Sequence, residues 1–288
     1  MKLDKNLNFL IVGLGLIGGS YAAALHKKGY HVSAIVRKQE YIDYALKHDM
    51  IDKGAAFVDP ALVAQADVVI IALYPHVLIE WLEENQSLFK SGVIITDVTG
   101  VKGCIVDRVQ AMLRPDAEFI AAHPMAGKET SGIEASDPRI FRKANYIVTP
   151  TEKNTPQAIA LCKALGHTLG FADISELSPK KHDEMIAFLS QLTHCIAVSL
   201  MCASDDKDLV RYTGDSFRDL TRIARINDEM WSELFLDNRE QLLKQMDRFK
   251  ASFDELYDTV QNSDRDAMRE LMRLSSERRA WFDDSIRS

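Results

Sequence analysis

Short apolar runs alternate with amphipathic segments over roughly the first 175 residues, and this alternation predicts βαβ units around a mostly parallel sheet. The runs at 7–12, 31–36, 67–73, 92–97, 118–122 and 145–149 read as strands, with a weaker one at 171–174. Several are nearly continuous in Val, Ile and Ala, as in strands covered on both faces. Between them, 20–28, 41–48, 76–89 and 155–169 carry helical spacing.

The pattern changes near Ser175. Beyond Pro179 no proline occurs, and Gly214 is the only glycine. Apolar positions recur at helical spacing, first at Met185, Phe188, Leu189, Leu192 and Ile196, later at Leu234, Leu242, Met246, Phe249 and Phe253. The expected fold is therefore an α/β, Rossmann-like doubly wound sheet over residues 1–175, followed by an all-α domain over 176–288. The apolar stripe of the last helices suits either packing within the chain or a helix interface between two copies.

Composition narrows the function. A formal net charge of −7 argues against nucleic acid or an anionic membrane as the main partner, so an anionic substrate needs a local basic pocket. Cys104, Cys162, Cys195 and Cys202 form no Cys-x-x-Cys pair and no zinc spacing with histidine, which predicts reduced thiols in a cytoplasmic protein and no metal site. The first apolar run, Phe9-Leu10-Ile11-Val12, is too short for a signal peptide. No apolar stretch reads as reaching the roughly 20 residues of a membrane span.

Gly13-Leu14-Gly15-Leu16-Ile17-Gly18 follows a strand and opens a helix. That context makes Gly-x-Gly-x-x-Gly a dinucleotide fingerprint: Gly13 for the tight turn, Gly15 for approach of the pyrophosphate and Gly18 for helix–strand packing. The helix start at Leu16 and Ile17 offers amide donors to the phosphates. An NAD-binding strand usually ends in an acid for the ribose hydroxyls, but here Arg37 and Lys38 follow the second strand. A guanidinium can bind a 2′-phosphate, so NADP is favoured over NAD.

Residues 123–132 read His-Pro-Met-Ala-Gly-Lys-Glu-Thr-Ser-Gly, and His123 follows the apolar Phe119-Ile120-Ala121-Ala122. An imidazole held at a strand end beside a redox cofactor suits a base for an alcohol about to lose hydride; a turn with an incidental histidine fits equally. Thr96-Asp97-Val98-Thr99-Gly100-Val101-Lys102-Gly103 closes the fourth predicted strand on the same edge, where Thr99 and Lys102 can approach the site, or Lys102 can be a surface lysine. His182-Asp183 and Gln191-Leu192-Thr193-His194 lie on one helical segment; twelve residues at 3.6 per turn place His182 and His194 about 120° apart. Ser216-Phe217-Arg218-Asp219-Leu220-Thr221-Arg222-Ile223-Ala224, with Trp231 beyond, can clamp a carboxylate or form a surface salt-bridge network.

Taken in order, these segments resemble the prephenate/arogenate dehydrogenase family of tyrosine biosynthesis, from about Leu7 to the helices after Trp231. The resemblance implies oxidative decarboxylation: prephenate gives 4-hydroxyphenylpyruvate, or arogenate gives tyrosine, with CO2 and reduced nicotinamide. It matches His123 to the family's catalytic histidine, Arg222 to its substrate-binding arginine, and Asp219 and Glu129 to ionic partners near the pocket mouth. It matches His194 to a histidine that contacts substrate in prephenate-using members and Trp231 to an aromatic near the site. It also implies a homodimer through the C-terminal helices. The chain has room for neither the chorismate mutase nor the ACT domain that relatives often carry, and reads as a single-function form.

Two positions depart from the family pattern. A serine often precedes the Val-Lys pair, orienting the histidine and nicotinamide; here it is Gly100, which leaves Thr99 as the candidate hydroxyl. Lys128 stands where other members carry a neutral or acidic residue, and a cation there disfavours the ammonium of arogenate and suits the keto acid of prephenate. More remote alternatives are a 3-hydroxyacid or 6-phosphogluconate-type dehydrogenase, and a dinucleotide-sensing protein without chemistry.

Overall fold

A computed structural model describes residues 3–128 and 130–283. Within them, β1 (Asn8–Val12), β2 (His31–Ile35), β3 (Lys53–Ala55), β4 (Val68–Ile71), β5 (Val93–Asp97) and β6 (Ala117–Phe119) form a wholly parallel sheet in the order β3-β2-β1-β4-β5-β6. The helices α1 (Leu16–Lys27), α2 (Gln39–Lys47), α3 (Pro60–Gln65), α4 (Pro75–Asn85) and α5 (Val106–Met112) connect successive strands. This is the doubly wound dinucleotide-binding order. Strand side chains alternate between two cores: Ile11, Val32 and Ile70 enter one, and Leu10, Val12, Val69 and Ile71 the other. Each such buried side chain contributes about 1.5–3 kcal/mol relative to exposure, which is why these runs hold the sheet.

The predicted strand at 118–122 is two strands. Ile120 still bonds its amide to the Ile95 carbonyl at 2.9 Å, but the chain then leaves the parallel sheet. β7 (Ala121–Pro124) pairs antiparallel with β8 (Asn145–Thr149), which pairs parallel with β9 (Asp173–Glu176) across α6 (Pro156–Leu169). This second small sheet carries His123, paired in register with Ile147.

Beyond β9 every described regular element is helical. α7 (Pro179–Ile186) starts from a Ser178 cap, passes through a six-residue π segment (Ala187–Leu192) and continues as α8 (Thr193–Cys202). α9 (Asp215–Thr221), a 3₁₀ turn (Arg222–Ala224) and α10 (Asp228–Asp237) follow, and α9 and the turn pack on α8. These helices and both sheets form one compact unit ending at Arg239. A second unit, from Glu240, contains α11 (Arg239–Gln261) from its second residue on and α12 (Arg265–Asp283).

The helix Pro179–Cys202 corrects one expectation: with 24 residues and a mean hydropathy of 1.7 in its most apolar part, it is long and apolar enough to cross a membrane. Its buried polar groups are nevertheless engaged with protein. Gln191 Nε2 donates to the Leu234 carbonyl at 2.7 Å, and Asp183 accepts the amides of Lys102 and Gly103.

Candidate active site

The fingerprint turn is built by local backbone constraint. Gly13 has φ of +96°, and a Cβ there would lie 2.5 Å from the Ala72 carbonyl oxygen. A Cβ on Gly18 would lie 1.9 Å from the Gly13 carbonyl oxygen, whereas one on Gly15 meets nothing within 4 Å. The turn is thus closed towards β4 and open above Gly15, which caps α1. Among the described residues no side chain caps this helix and no acid sits in its first turn, so the first-turn amides, including those of Leu16 and Ile17, are left available to an anion. These residues fit a dinucleotide pyrophosphate.

Past β2, Arg37 and Lys38 are both exposed. Lys38 lies 3.7 Å from Glu40 and 5.1 Å from the Tyr41 ring centre. Arg37 has no ion-pair partner among the described residues, so it is the cation that can turn to a ligand.

At the carboxyl end of β5, two strands or about 10 Å from β1, lies a wholly buried ion pair. Lys102 Nζ donates to Asp97 Oδ2 at 2.6 Å, to the Ala122 carbonyl at 2.6 Å and to the Thr99 carbonyl at 3.0 Å. Asp97 Oδ1 accepts the Ala122 amide at 3.1 Å. Lys102 is therefore not the surface lysine that its sequence position allowed. It clamps the backbone immediately before His123 to the end of β5. The Thr99 hydroxyl is committed here too: it bonds Asp97, lies 2.9 Å from the Val101 carbonyl and accepts from Lys102 at 3.2 Å. Thr99 was expected to stand in for the serine absent at Gly100. Its hydroxyl is instead held by the buried ion pair, and His123 takes a different partner.

That partner is His182. His123 Nδ1 lies 2.8 Å from His182 Nε2, and His182 Nδ1 lies 2.8 Å from Asp183 Oδ1. Asp183 accepts the Lys102 amide at 2.9 Å and the Gly103 amide at 2.7 Å. His182 is fully buried, while His123 keeps partial exposure. Burial holds His123 well below the ordinary histidine value, with His182 and the Lys102 ammonium acting the same way. Burial also lowers His182, against the opposing pull of Asp183. His123 is therefore a neutral imidazole at physiological pH. The sequence carries a signal for this pair, a carboxylate directly following a histidine at a helix start, but nothing in it joins His182 to His123.

The π segment changes the angular relation of the helix histidines. A wide turn absorbs one residue, taking about 100° off the α-helical phase and leaving His182 and His194 about 20° apart. α10 lies along this side. The Trp231 ring centre is 3.7 Å from that of His194, and Asn238 Nδ2 donates to the Asp183 carbonyl at 2.9 Å and to Gln191 Oε1 at 2.8 Å. His194 Nδ1 bonds the Ser190 carbonyl at 2.9 Å, and burial lowers its pKa. Leu234 lies under Gly100, 3.5 Å from where a Cβ would be. Glu233 binds both the amide and Nδ1 of His76, tying α10 to the first turn of α4.

Arg222 opens the 3₁₀ turn beside α8, and Asp219 is exposed on α9. Lys128 is exposed, 3.9 Å from Asp137 Oδ2, which also pairs with Arg139 at 2.9 Å. Glu129 lies outside the described residues. The geometry thus brings together the β5 end, His123, His182, Asp183 and α10 with His194 and Trp231. The polar residues Lys128, Asp219 and Arg222 lie on the 123–132 loop and the α9 segment.

Comparison with known proteins agrees with this layout. Residues 21–172 match the family described as prephenate dehydrogenase, nucleotide-binding domain, and 178–274 the prephenate dehydrogenase dimerization domain. Prephenate dehydrogenase of Bacillus subtilis is 33% identical over 88% of this chain and 70% of its own length. Cyclohexadienyl dehydrogenase of Zymomonas mobilis is 30% identical over 93% and 94%. Among solved structures, prephenate dehydrogenase from A. aeolicus in complex with hydroxyphenyl propionate and NAD+ superposes with a TM-score of 0.88 at 28% identity, covering 98% of this chain and 100% of that one. Arogenate dehydrogenase from Synechocystis gives a TM-score of 0.82 at 25% identity, covering 96% and 100%. With both halves matched in order around one histidine-bearing strand end, the chain belongs to the prephenate dehydrogenase family.

Proposed function

We propose that this protein oxidatively decarboxylates prephenate to 4-hydroxyphenylpyruvate, passing hydride to NADP or NAD, as a cytoplasmic homodimer. One observation carries the reading: His123, a neutral imidazole on β7, is locked beside the carboxyl end of β5, on the edge of the parallel sheet where the fingerprint turn after β1 opens. Gly13, Gly15, Leu16, Ile17 and Gly18 would hold the dinucleotide, and Arg37, with Lys38, would meet a 2′-phosphate. When bound, the nicotinamide accepts the hydride. His123 takes the proton of the ring C4 hydroxyl as that hydride leaves C4. The bond from the ring to its carboxylate then breaks, its electrons enter the ring, CO2 leaves, and the proton returns to the new phenol oxygen. Arg222 and His194 bind the substrate, Asp219 and Glu129 set the charge at the pocket mouth, and Trp231 packs on His194. Residues 1–175 serve the cofactor; residues 176–288 serve substrate and pairing.

Lys128 favours the keto acid of prephenate over the ammonium of arogenate. Arogenate is the second reading, supported by the Synechocystis neighbour. Pairing is supported by the dimerization-domain match and by Phe249, Phe253, Tyr257, Val260, Met272 and Trp281, all exposed on α11 and α12. Initial rates with prephenate and arogenate, each with NAD and NADP, test the assignment. The expected order puts prephenate with NADP first, and a clear arogenate preference removes the role given to Lys128. His123→Asn is expected to abolish turnover while cofactor affinity stays within about threefold; full activity in it removes His123 from the mechanism.

A further inference from the structure

The hydrogen bonds behind His123 have a direction fixed by their far end. The Asp183 carboxylate only accepts, and it takes the Lys102 and Gly103 amides. His182 Nδ1, 2.8 Å from Asp183 Oδ1, must therefore carry a hydrogen. A neutral imidazole has one N–H, so His182 Nε2 is bare and accepts. Across 2.8 Å the donor is then His123 Nδ1–H, and the His123 lone pair is on Nε2.

From this we infer that His182 and Asp183 are positioning residues that fix the tautomer of His123, leaving Nε2 as the atom that receives the substrate's hydroxyl proton. The inference rests on the reading of His123 as the base. It also assigns the task left open by Gly100: the imidazole is oriented from behind by a histidine of α7, 59 residues away in sequence, and not by a hydroxyl from the segment after β5. When His123 gains its proton, Nδ1–H still points at His182 Nε2 and the chain of donors is unchanged. No group has to turn during the reaction. Asp183 is anchored on both oxygens, and the fully buried His182 is fixed in turn.

The test combines a spectroscopic signature with two variants. Ring nitrogen-15 spectra of the wild-type protein, assigned with His123→Asn, are expected to show His123 protonated on Nδ1 and bare on Nε2. In His182→Leu no acceptor faces Nδ1. The tautomer is then free to reverse, and kcat is expected to fall about 10²- to 10³-fold with KM and cofactor Kd within about threefold, by analogy with wrong-tautomer variants of catalytic triads. In His182→Gln the amide NH2 can face Asp183 and the amide oxygen His123, so the direction survives and kcat is expected within about tenfold of wild type. A wild-type spectrum with His123 protonated on Nε2 overturns the inference, even if His182→Leu fails to fold. So does a His182→Leu enzyme with unchanged kcat beside an inactive His123→Asn. An active His123→Asn instead removes the reading of His123 as base.

Discussion

Replacing Lys102 with methionine leaves the wholly buried Asp97 carboxylate without its cation and the Ala122 carbonyl without its 2.6 Å donor. Breaking a buried ion pair from one side typically costs about 3–5 kcal/mol, because the remaining charge stays desolvated. In a unit of this size each kcal/mol lowers Tm by about 2–4 °C, so the expected fall is roughly 6–20 °C. Asp97→Asn strands the cation and is expected to cost a similar amount. The double variant should lose less than the sum by at least about 2 kcal/mol, since neither charge is then left alone. Urea unfolding followed by circular dichroism gives all four corners of the cycle. A Lys102→Met loss under about 1 kcal/mol, additive with Asp97→Asn, is the behaviour of a solvated surface lysine and refutes this network. Because the Ala122 carbonyl precedes His123, the same variant is expected to lose turnover in whatever fraction still folds.

Two further outcomes follow from the same geometry. His123, His182 and His194 are all held below the ordinary histidine pKa by burial. Between about pH 6.5 and the lower folded values the unfolded chain binds protons that the folded one refuses, so stability falls as pH drops below about 6.5 and is level above about 7.5. The exposed His76, raised by Glu233, acts in the opposite direction but weakly. Urea midpoints at pH 7.5 and 5.5 check the sign, and equal midpoints contradict it. Gly18→Ala places a Cβ 1.9 Å from the Gly13 carbonyl oxygen, so isothermal titration is expected to show nicotinamide dinucleotide binding weakened at least tenfold, about 1.4 kcal/mol; unchanged affinity contradicts the close helix–strand packing.

Features set by neighbouring residues were legible in the chain. Gly13 needs its positive φ whatever the rest of the protein does, and the runs of β1, β4 and β5 declare burial on both faces by composition alone. β3 was not visible, because Lys53-Gly54-Ala55 has no apolar run and is held by pairing with β2 and by packing against Ile42 of α2. The break between β6 and β7 was hidden because Phe119 to Ala122 is uniformly apolar, and the change of partner from β5 to β8 leaves no mark on it. The site divides in the same way. His123 stood out from its strand end, but the burial of Lys102 depends on Asp97 and Ala122 meeting it in space. The partnership of His123 with His182 depends on α7 returning over β7, and the relation of His182 to His194 turns on a π segment that helical periodicity does not anticipate.

The most direct measurement of the central claim is the product balance of the purified protein given prephenate and nicotinamide cofactor. Reduced nicotinamide, CO2 and 4-hydroxyphenylpyruvate are expected in equal amounts, at a rate that vanishes in His123→Asn. Reduction without CO2, or no reduction with either prephenate or arogenate, would contradict it.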